Sequence, residues 1–284
     1  MSRPQGGRAF IVLSALLAMA GCGPTTNPGS SSAPGSSAAP PASSAPPSSA
    51  EPPASSAPPP ASEAPPASSS APPSSTPADF SFNPPGQLQS GGSGVTDPTV
   101  YVPGMRFPID TPKAFADSQV YGHGGSNGPG GSQCDAANYA YPWSDNFCEP
   151  RAYTTPLCPS GTGHQGQDIR PTTCKAATYA AVAAEDGTIT QIGSYTVYLS
   201  SNTGRTYLYL HMQMNKLKVA VGDHVTRGQQ LGLVSNNFGA TPTTIHLHFE
   251  IKEPVSFGGS TITTRVPPYS SVVDAYQRLL AGAP

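Results

Sequence analysis

Two imidazoles and a carboxylate alternate near the end of this chain, at His246, His248 and Glu250. They lie in Ile245-His246-Leu247-His248-Phe249-Glu250-Ile251, where apolar and β-branched residues alternate with polar ones, the pattern of a strand. Successive side chains of a strand point to opposite faces, so His246, His248 and Glu250 share one face and Leu247, Phe249 and Ile251 the other. Burying the apolar face in a core leaves the imidazoles side by side on the opposite surface. A second polar pair, His164 and Asp168, stands in Gly163-His164-Gln165-Gly166-Gln167-Asp168. Two imidazoles and one carboxylate suit a divalent zinc ion, and three protein ligands leave a fourth position open for water, as in a catalytic centre.

The segments around these residues read as strand after strand. Thr178–Ala184 runs into Asp186-Gly187, a hairpin turn signal, and Thr188–Ile192 leads out. Tyr195–Ser200 alternates, Asn202-Thr203-Gly204 turns the chain, and Thr206–Met212 returns. Lys218–Val221, a turn at Gly222-Asp223, and Gln230–Ser235 precede the strand that carries His246 and His248. Turn signals at such close spacing indicate an antiparallel β domain. A helix is expected over Ser271–Leu280, with Val272, Val273, Tyr276, Leu279 and Leu280 on one stripe. Residues 122–163, rich in Gly, Pro and Cys, read as a long loop pinned by disulfides. Tyr195, Tyr198, Tyr207 and Tyr209 read as packing residues and His123 and His224 as surface residues; Glu250 reads as a solvated carboxylate at a strand end or, alternatively, as a carboxylate that supports a metal ligand from behind.

The beginning of the chain indicates where the protein works. Arg3 and Arg8 precede the apolar run Ala9–Ala20, which is shorter than the ~20 residues a membrane span needs. Ala18, Ala20 and Gly21 before Cys22 resemble a bacterial lipoprotein signal, which implies cleavage after residue 21 and acylation of Cys22. Residues 22–79 are Pro-, Ser- and Ala-rich, without an aliphatic side chain larger than Ala. Such a composition buries too little apolar surface to offset its conformational entropy and is expected to be a disordered tether. Fully extended it would span roughly 170 Å, and as a coil roughly 40 Å. Residues 80–284 suffice for one domain, with its core at about 101–270. The chain has 14 Lys and Arg against 16 Asp and Glu, a balance that argues against nucleic acid as a partner. Of five cysteines, setting Cys22 aside leaves an even set, Cys134, Cys148, Cys158 and Cys174. Three pairings are open, and the short loops of Cys134–Cys148 and Cys158–Cys174 favour that one. A zinc–thiolate site competes poorly, because no Cys-x-x-Cys pair occurs.

Read in order, His164-x-x-x-Asp168-Ile169, Ala183-x-x-Asp186-Gly187-x-Ile189, Tyr209-Leu210-His211, Val221-Gly222-Asp223-x-Val225-x-x-Gly228-Gln229-x-Leu231-Gly232 and His246-Leu247-His248-Phe249-Glu250 resemble the lysostaphin/LytM-type zinc metallopeptidases, chiefly peptidoglycan endopeptidases. Met105-Arg106-Phe107-Pro108 resembles the family's first core strand. The resemblance implies a mainly β domain with an open substrate groove, one zinc ion per chain, His164, Asp168 and His248 as its ligands, and His211 and His246 as a catalytic pair. It implies peptidoglycan stem peptides as substrate, a cell-envelope location with a membrane anchor through Cys22, and hydrolysis by metal-activated water. Residues 122–163 depart from the family pattern and are expected to alter specificity as one wall of the groove. The alternative is a catalytically silent or autoinhibited wall-binding activator of other hydrolases. A carrier domain of the biotinyl or lipoyl type, suggested by the Gly-Asp-x-Val hairpin, is excluded because no lysine sits at the hairpin tip.

Overall fold

The alternation around His248 becomes the strand on which the sheet is centred. The computed structural model describes residues 79–284; the signal read at 1–21, Cys22, and the tether up to residue 78 lie outside them. Among the described residues the strands are β1 (Ala114–Ala116), β2 (Gln167–Pro171), β3 (Ala180–Val182), β4 (Gly187–Ile192), β5 (Thr196–Ser201), β6 (Thr206–Leu210), β7 (His224–Val225), β8 (Gln230–Leu233), β9 (Leu247–Phe257) and β10 (Ser260–Val266), followed by helix α1 (Tyr269–Leu280). The main sheet runs β1-β2-β9-β6-β5-β4-β7, with β10 also paired to β9, and β3 and β8 form a separate ribbon. Every strand pair is antiparallel, as expected.

Leu247, Phe249 and Ile251 of β9 are fully buried, as are Ile169 of β2 and Tyr207 and Tyr209 of β6. They join Phe107, Ile109, Trp143 and Tyr276 in one core. Helix α1 closes it with Val272, Val273, Ala275 and Tyr276, extending the expected helix by two residues at its start. Tyr276 also accepts from Ala114 N–H at 3.1 Å and donates to Pro112 O at 2.9 Å, which ties the helix to β1.

Several expectations are corrected. Residues on either side of Asp186-Gly187 do not form a hairpin: β3 pairs with β8, while both edges of β4 are taken by β5 and β7. Lys218–Val221 forms no strand; the pairing shifts to His224–Val225, which the turn at Gly222-Asp223 delivers to β4. Met105–Pro108 contributes Met105 and Phe107 to the core, and its backbone bonds Ala184 and Val182, without becoming a strand. The β9–β10 hairpin goes beyond the expectations, although Gly258-Gly259 is a strong signal for it: φ is 59° and 80° at its two central residues, as a tight hairpin turn requires.

The disulfides are Cys134–Cys174 and Cys148–Cys158, not the short-loop pairing. The tertiary fold overrides loop length here. Arg170 of β2 donates to Gln133 O at 3.0 Å and Ile245 N–H to Gln133 Oε1 at 2.7 Å, which brings Cys134 to the end of β2, beside Cys174. A Cys134–Cys174 crosslink closes a loop of 40 residues and gains about 4 kcal/mol in the chain-entropy model, more than a short loop would.

Candidate metal centre

Strand register brings the first two candidate ligands together. Asp168 of β2 pairs directly with His248 of β9, so their side chains rise from the same face, while the neighbouring pair Ile169 and Leu247 points into the core. His248 Nδ1 lies 3.0 Å from Asp168 Oδ1. His164 enters from the loop before β2 and places Nε2 3.3 Å from the same oxygen. Between them the chain passes so close to β9 that a Cβ on Gly166 would lie 2.4 Å from Phe249 O and 2.9 Å from His248 Nε2, so only glycine fits there. Ligand atoms of His164, Asp168 and His248 all lie within 4.8 Å of one another, and all three residues are buried.

Two further imidazoles complete the cluster. His246 stands just before β9 rather than within it, with Nε2 3.5 Å from Asp168 Oδ1. His211 follows β6. Strict alternation after Tyr207 and Tyr209 would send its ring into the core, but φ of 68° turns it into the pocket instead, 4.4 Å from His246 between ring centroids. A non-glycine residue in the left-handed region carries strain of about 1–3 kcal/mol, and such strain is concentrated at functional sites.

Each ring is held from behind. His164 Nδ1 donates to Asn146 O at 2.9 Å, His211 Nδ1 to Asn237 O at 3.0 Å, and His246 Nδ1 to Thr244 O at 2.8 Å. His248 Nε2 donates to Glu250 Oε1 at 3.1 Å, and Glu250 in turn accepts from Arg265 Nε at 2.7 Å. Glu250 is therefore a buried support for His248, the alternative of its two readings, and not a solvated carboxylate at a strand end. These outer bonds orient the rings, and at His164, His211 and His246 a donating Nδ1 leaves Nε2 as the free lone pair. Asn146 also accepts from Asp168 N–H through Oδ1 at 3.1 Å, so one buried residue locates two of the candidate ligands, one through its backbone carbonyl and one through its side chain.

Burial alone would raise the Asp168 pKa, but the neighbouring imidazoles of His164 and His246 and the hydrogen bonds of His164 and His248 hold it well below the usual carboxylate range. Burial pushes His211 down to about 4, and His246 well below the ordinary imidazole value, so both are neutral at pH 7. For His248, burial is outweighed by the carboxylates of Asp168 and Glu250, and its pKa is pushed up to about 9. Two imidazoles and an ionised carboxylate, converging with their far sides anchored, fit a zinc ion. A bound zinc ion would polarise a substrate carbonyl and acidify water in its open position.

The pocket over the cluster has a volume of about 250 Å³. Arg151 and Tyr153, both within the 122–163 stretch, line it, so that loop forms a wall of the site as expected. Phe238, beside His211 and Tyr195, supplies another lining residue and is 44% exposed. Tyr207 and Tyr209 are core residues bonded to Glu185 and Ala184; His224 is exposed and His123 lies 3.7 Å from Asp135, away from the cluster. The carbonyl anchors at Asn146, Asn237 and Thr244 have no signal in the sequence, because every residue carries a carbonyl. Arg265 is equally silent, since only the β9–β10 register places it next to Glu250.

Residues 162–262 match the family model described as Peptidase family M23. No curated protein matches the chain. Among solved structures, the chain is similar to the catalytic domain of the antimicrobial peptidase lysostaphin from Staphylococcus simulans, at 25% identity over 45% of this chain and 89% of that one, with a TM-score of 0.33. It is also similar to a putative glycyl-glycine endopeptidase lytM from Ruminococcus gnavus, at 20% identity over 63% and 62%, with a TM-score of 0.37. For a further structure of the antimicrobial peptidase lysostaphin from Staphylococcus simulans, identity is 27% over 46% of this chain and 51% of that one, with a TM-score of 0.32. The stretch that matches the zinc metallopeptidase family M23, residues 162–262, contains His164, Asp168 and His248, the three residues that the fold gathers into one candidate metal site.

Proposed function

We propose that the chain is a zinc-dependent endopeptidase that hydrolyses peptide cross-links of bacterial peptidoglycan, with His164, Asp168 and His248 as metal ligands and His211 and His246 as the catalytic pair. The convergence of three backed imidazoles, His164, His246 and His248, on one ionised carboxylate, with His211 beside His246, carries this reading. Because His211 and His246 are neutral and donate through Nδ1, each offers Nε2 as a proton acceptor near the metal cluster. One imidazole takes the proton of the attacking water at Nε2; the other holds the water or the developing oxyanion in place. Either ring suits either part. The protein is further proposed to be a lipoprotein, cleaved after residue 21 and held at a membrane of the cell envelope through Cys22, with residues 22–79 as its tether and 80–284 as its enzyme domain.

The direct test incubates the purified chain with intact cross-linked peptidoglycan, with and without a chelator, and identifies the released fragments by mass. Chelator-sensitive loss of cross-linked dimers is expected and names the bond. Absence of cleavage by a chain with one bound zinc would favour an activator of other hydrolases instead.

A further inference from the structure

Arg151 is the only Lys or Arg among the residues lining the pocket over the metal cluster. It stands in the segment that the Cys148–Cys158 disulfide closes into a wall. That wall is tightly bonded: Thr155 N–H donates to Gly161 O at 2.9 Å, Gly163 N–H to Tyr153 O at 2.9 Å, and Thr155 Oγ1 to Gly163 O at 3.0 Å. The backbone position of Arg151 is therefore set by the fold. Its guanidinium is little used by the fold. Nη1 donates to the adjacent Pro150 O at 2.8 Å, Nη2 reaches Glu149 Oε2 only at 3.4 Å, and the group lies 5.8 Å from the centre of the Tyr121 ring.

A committed guanidinium–carboxylate pair is bidentate, with contacts near 2.7–2.9 Å. Arg151 makes no such pair, whereas Arg265 reaches Glu250 at 2.7 Å. The acids of the pocket are also taken: Asp168 by imidazoles, Glu250 by His248 and Arg265. This leaves a partly exposed cation on a braced wall, with one long carboxylate contact and no bidentate partner, whose fork can turn to an anion in the groove. The pocket is small, below the ~300 Å³ at which ligand sites usually begin, so one short stretch of extended peptide spans both the metal cluster and Arg151.

We propose that Arg151 is a specificity determinant that receives a free carboxylate of the peptide substrate, carried on a residue beside the bond to be cleaved. The inference rests on the endopeptidase reading and narrows its substrate class to peptides that are acidic at this position, in preference to their amidated counterparts. A bidentate contact to such a carboxylate replaces the single long contact to Glu149.

Two synthetic cross-linked peptides, differing only in a carboxylate or a carboxamide beside the scissile bond, provide the test. Each is given to the zinc-loaded chain and to its Arg151→Met and Arg151→Lys variants, with zinc content measured to confirm an intact site. Wild type is expected to favour the carboxylate peptide by about tenfold in kcat/KM, mainly through KM, as one charge-assisted contact would produce. Arg151→Met should abolish that preference, and Arg151→Lys should retain part of it. Equal rates on the two peptides, or a preference that survives Arg151→Met, would overturn the inference. Equilibrium binding of both peptides to a His246→Ala protein, with and without Arg151→Met, reads the same preference without turnover. If wild type cuts neither peptide, the endopeptidase reading falls while the binding difference still decides the role of Arg151.

Discussion

At the scale of single residues, His246 and His248 stand two positions apart yet are expected to fail differently when removed. His246→Ala takes away a neutral imidazole outside the gathered ligand set, so hydrolysis should be lost while one zinc per chain remains, read by metal analysis beside an activity assay. Loss of the metal would instead make His246 a ligand. His248 carries the second expectation. Its pKa of about 9 means that the metal-free cluster holds a proton below that pH, on an imidazole that must be neutral to bind zinc. Metal binding then releases a proton, and zinc affinity should rise about tenfold per pH unit between roughly 6.5 and 9. Competition titrations at several pH values measure the slope, and a flat profile would contradict it. The sign for stability is opposite. A folded pKa raised above the ordinary imidazole value stabilises the metal-free protein fully below about pH 6.5, and that contribution is lost as pH rises through about 9.

At the scale of elements, the cluster depends on how two irregular segments are fastened to regular strands. β2 and β9 align Asp168 and His248 through their ladder, but His164 lies outside any strand. Its place is set by Cys148 N–H donating to His164 O at 3.0 Å and His164 N–H to Glu149 O at 2.9 Å. The disulfide packs against the same turn: a Cβ on Gly163 would lie 2.7 Å from Cys148 Cα and 3.0 Å from Cys158 Sγ. Cys148→Ser is therefore expected to cost roughly 3 kcal/mol of stability, from a loop of 10 residues, and also to weaken zinc binding about 10- to 100-fold. Thermal denaturation and zinc titration check the two effects separately. An unchanged zinc affinity would show that the backbone bonds hold His164 unaided.

At the scale of the whole molecule, the proposed enzyme domain is joined to a sequence that reads as a signal, an acylated cysteine and a long tether. Among the described residues no helix is long and apolar enough to cross a membrane. The proposed attachment is through Cys22. Cys22→Ser should move the protein from the membrane fraction to the soluble fraction on cell fractionation, and persistence in the membrane fraction would count against acylation.

Much of the metal centre is legible in the order of the residues. The period-two alternation around His248 assigns faces without knowledge of the partner strand, because side-chain direction in a strand is a local property. The residue types of His164, Asp168 and His248 likewise suggest zinc wherever they meet. Pairing is not local. β3 and β8 find each other because β4 has no free edge, Cys134 finds Cys174 because Gln133 is bound beside β2, and Glu250 is desolvated because β10 folds back with Arg265. The direction of His211 also escapes alternation, since a left-handed residue after β6 reverses it. By itself the sequence determined the chemistry available and the faces that carry it. The tertiary structure alone decided which carbonyls hold each imidazole, which cysteines pair and which cation overlooks the groove, because those depend on contacts between segments far apart in the chain.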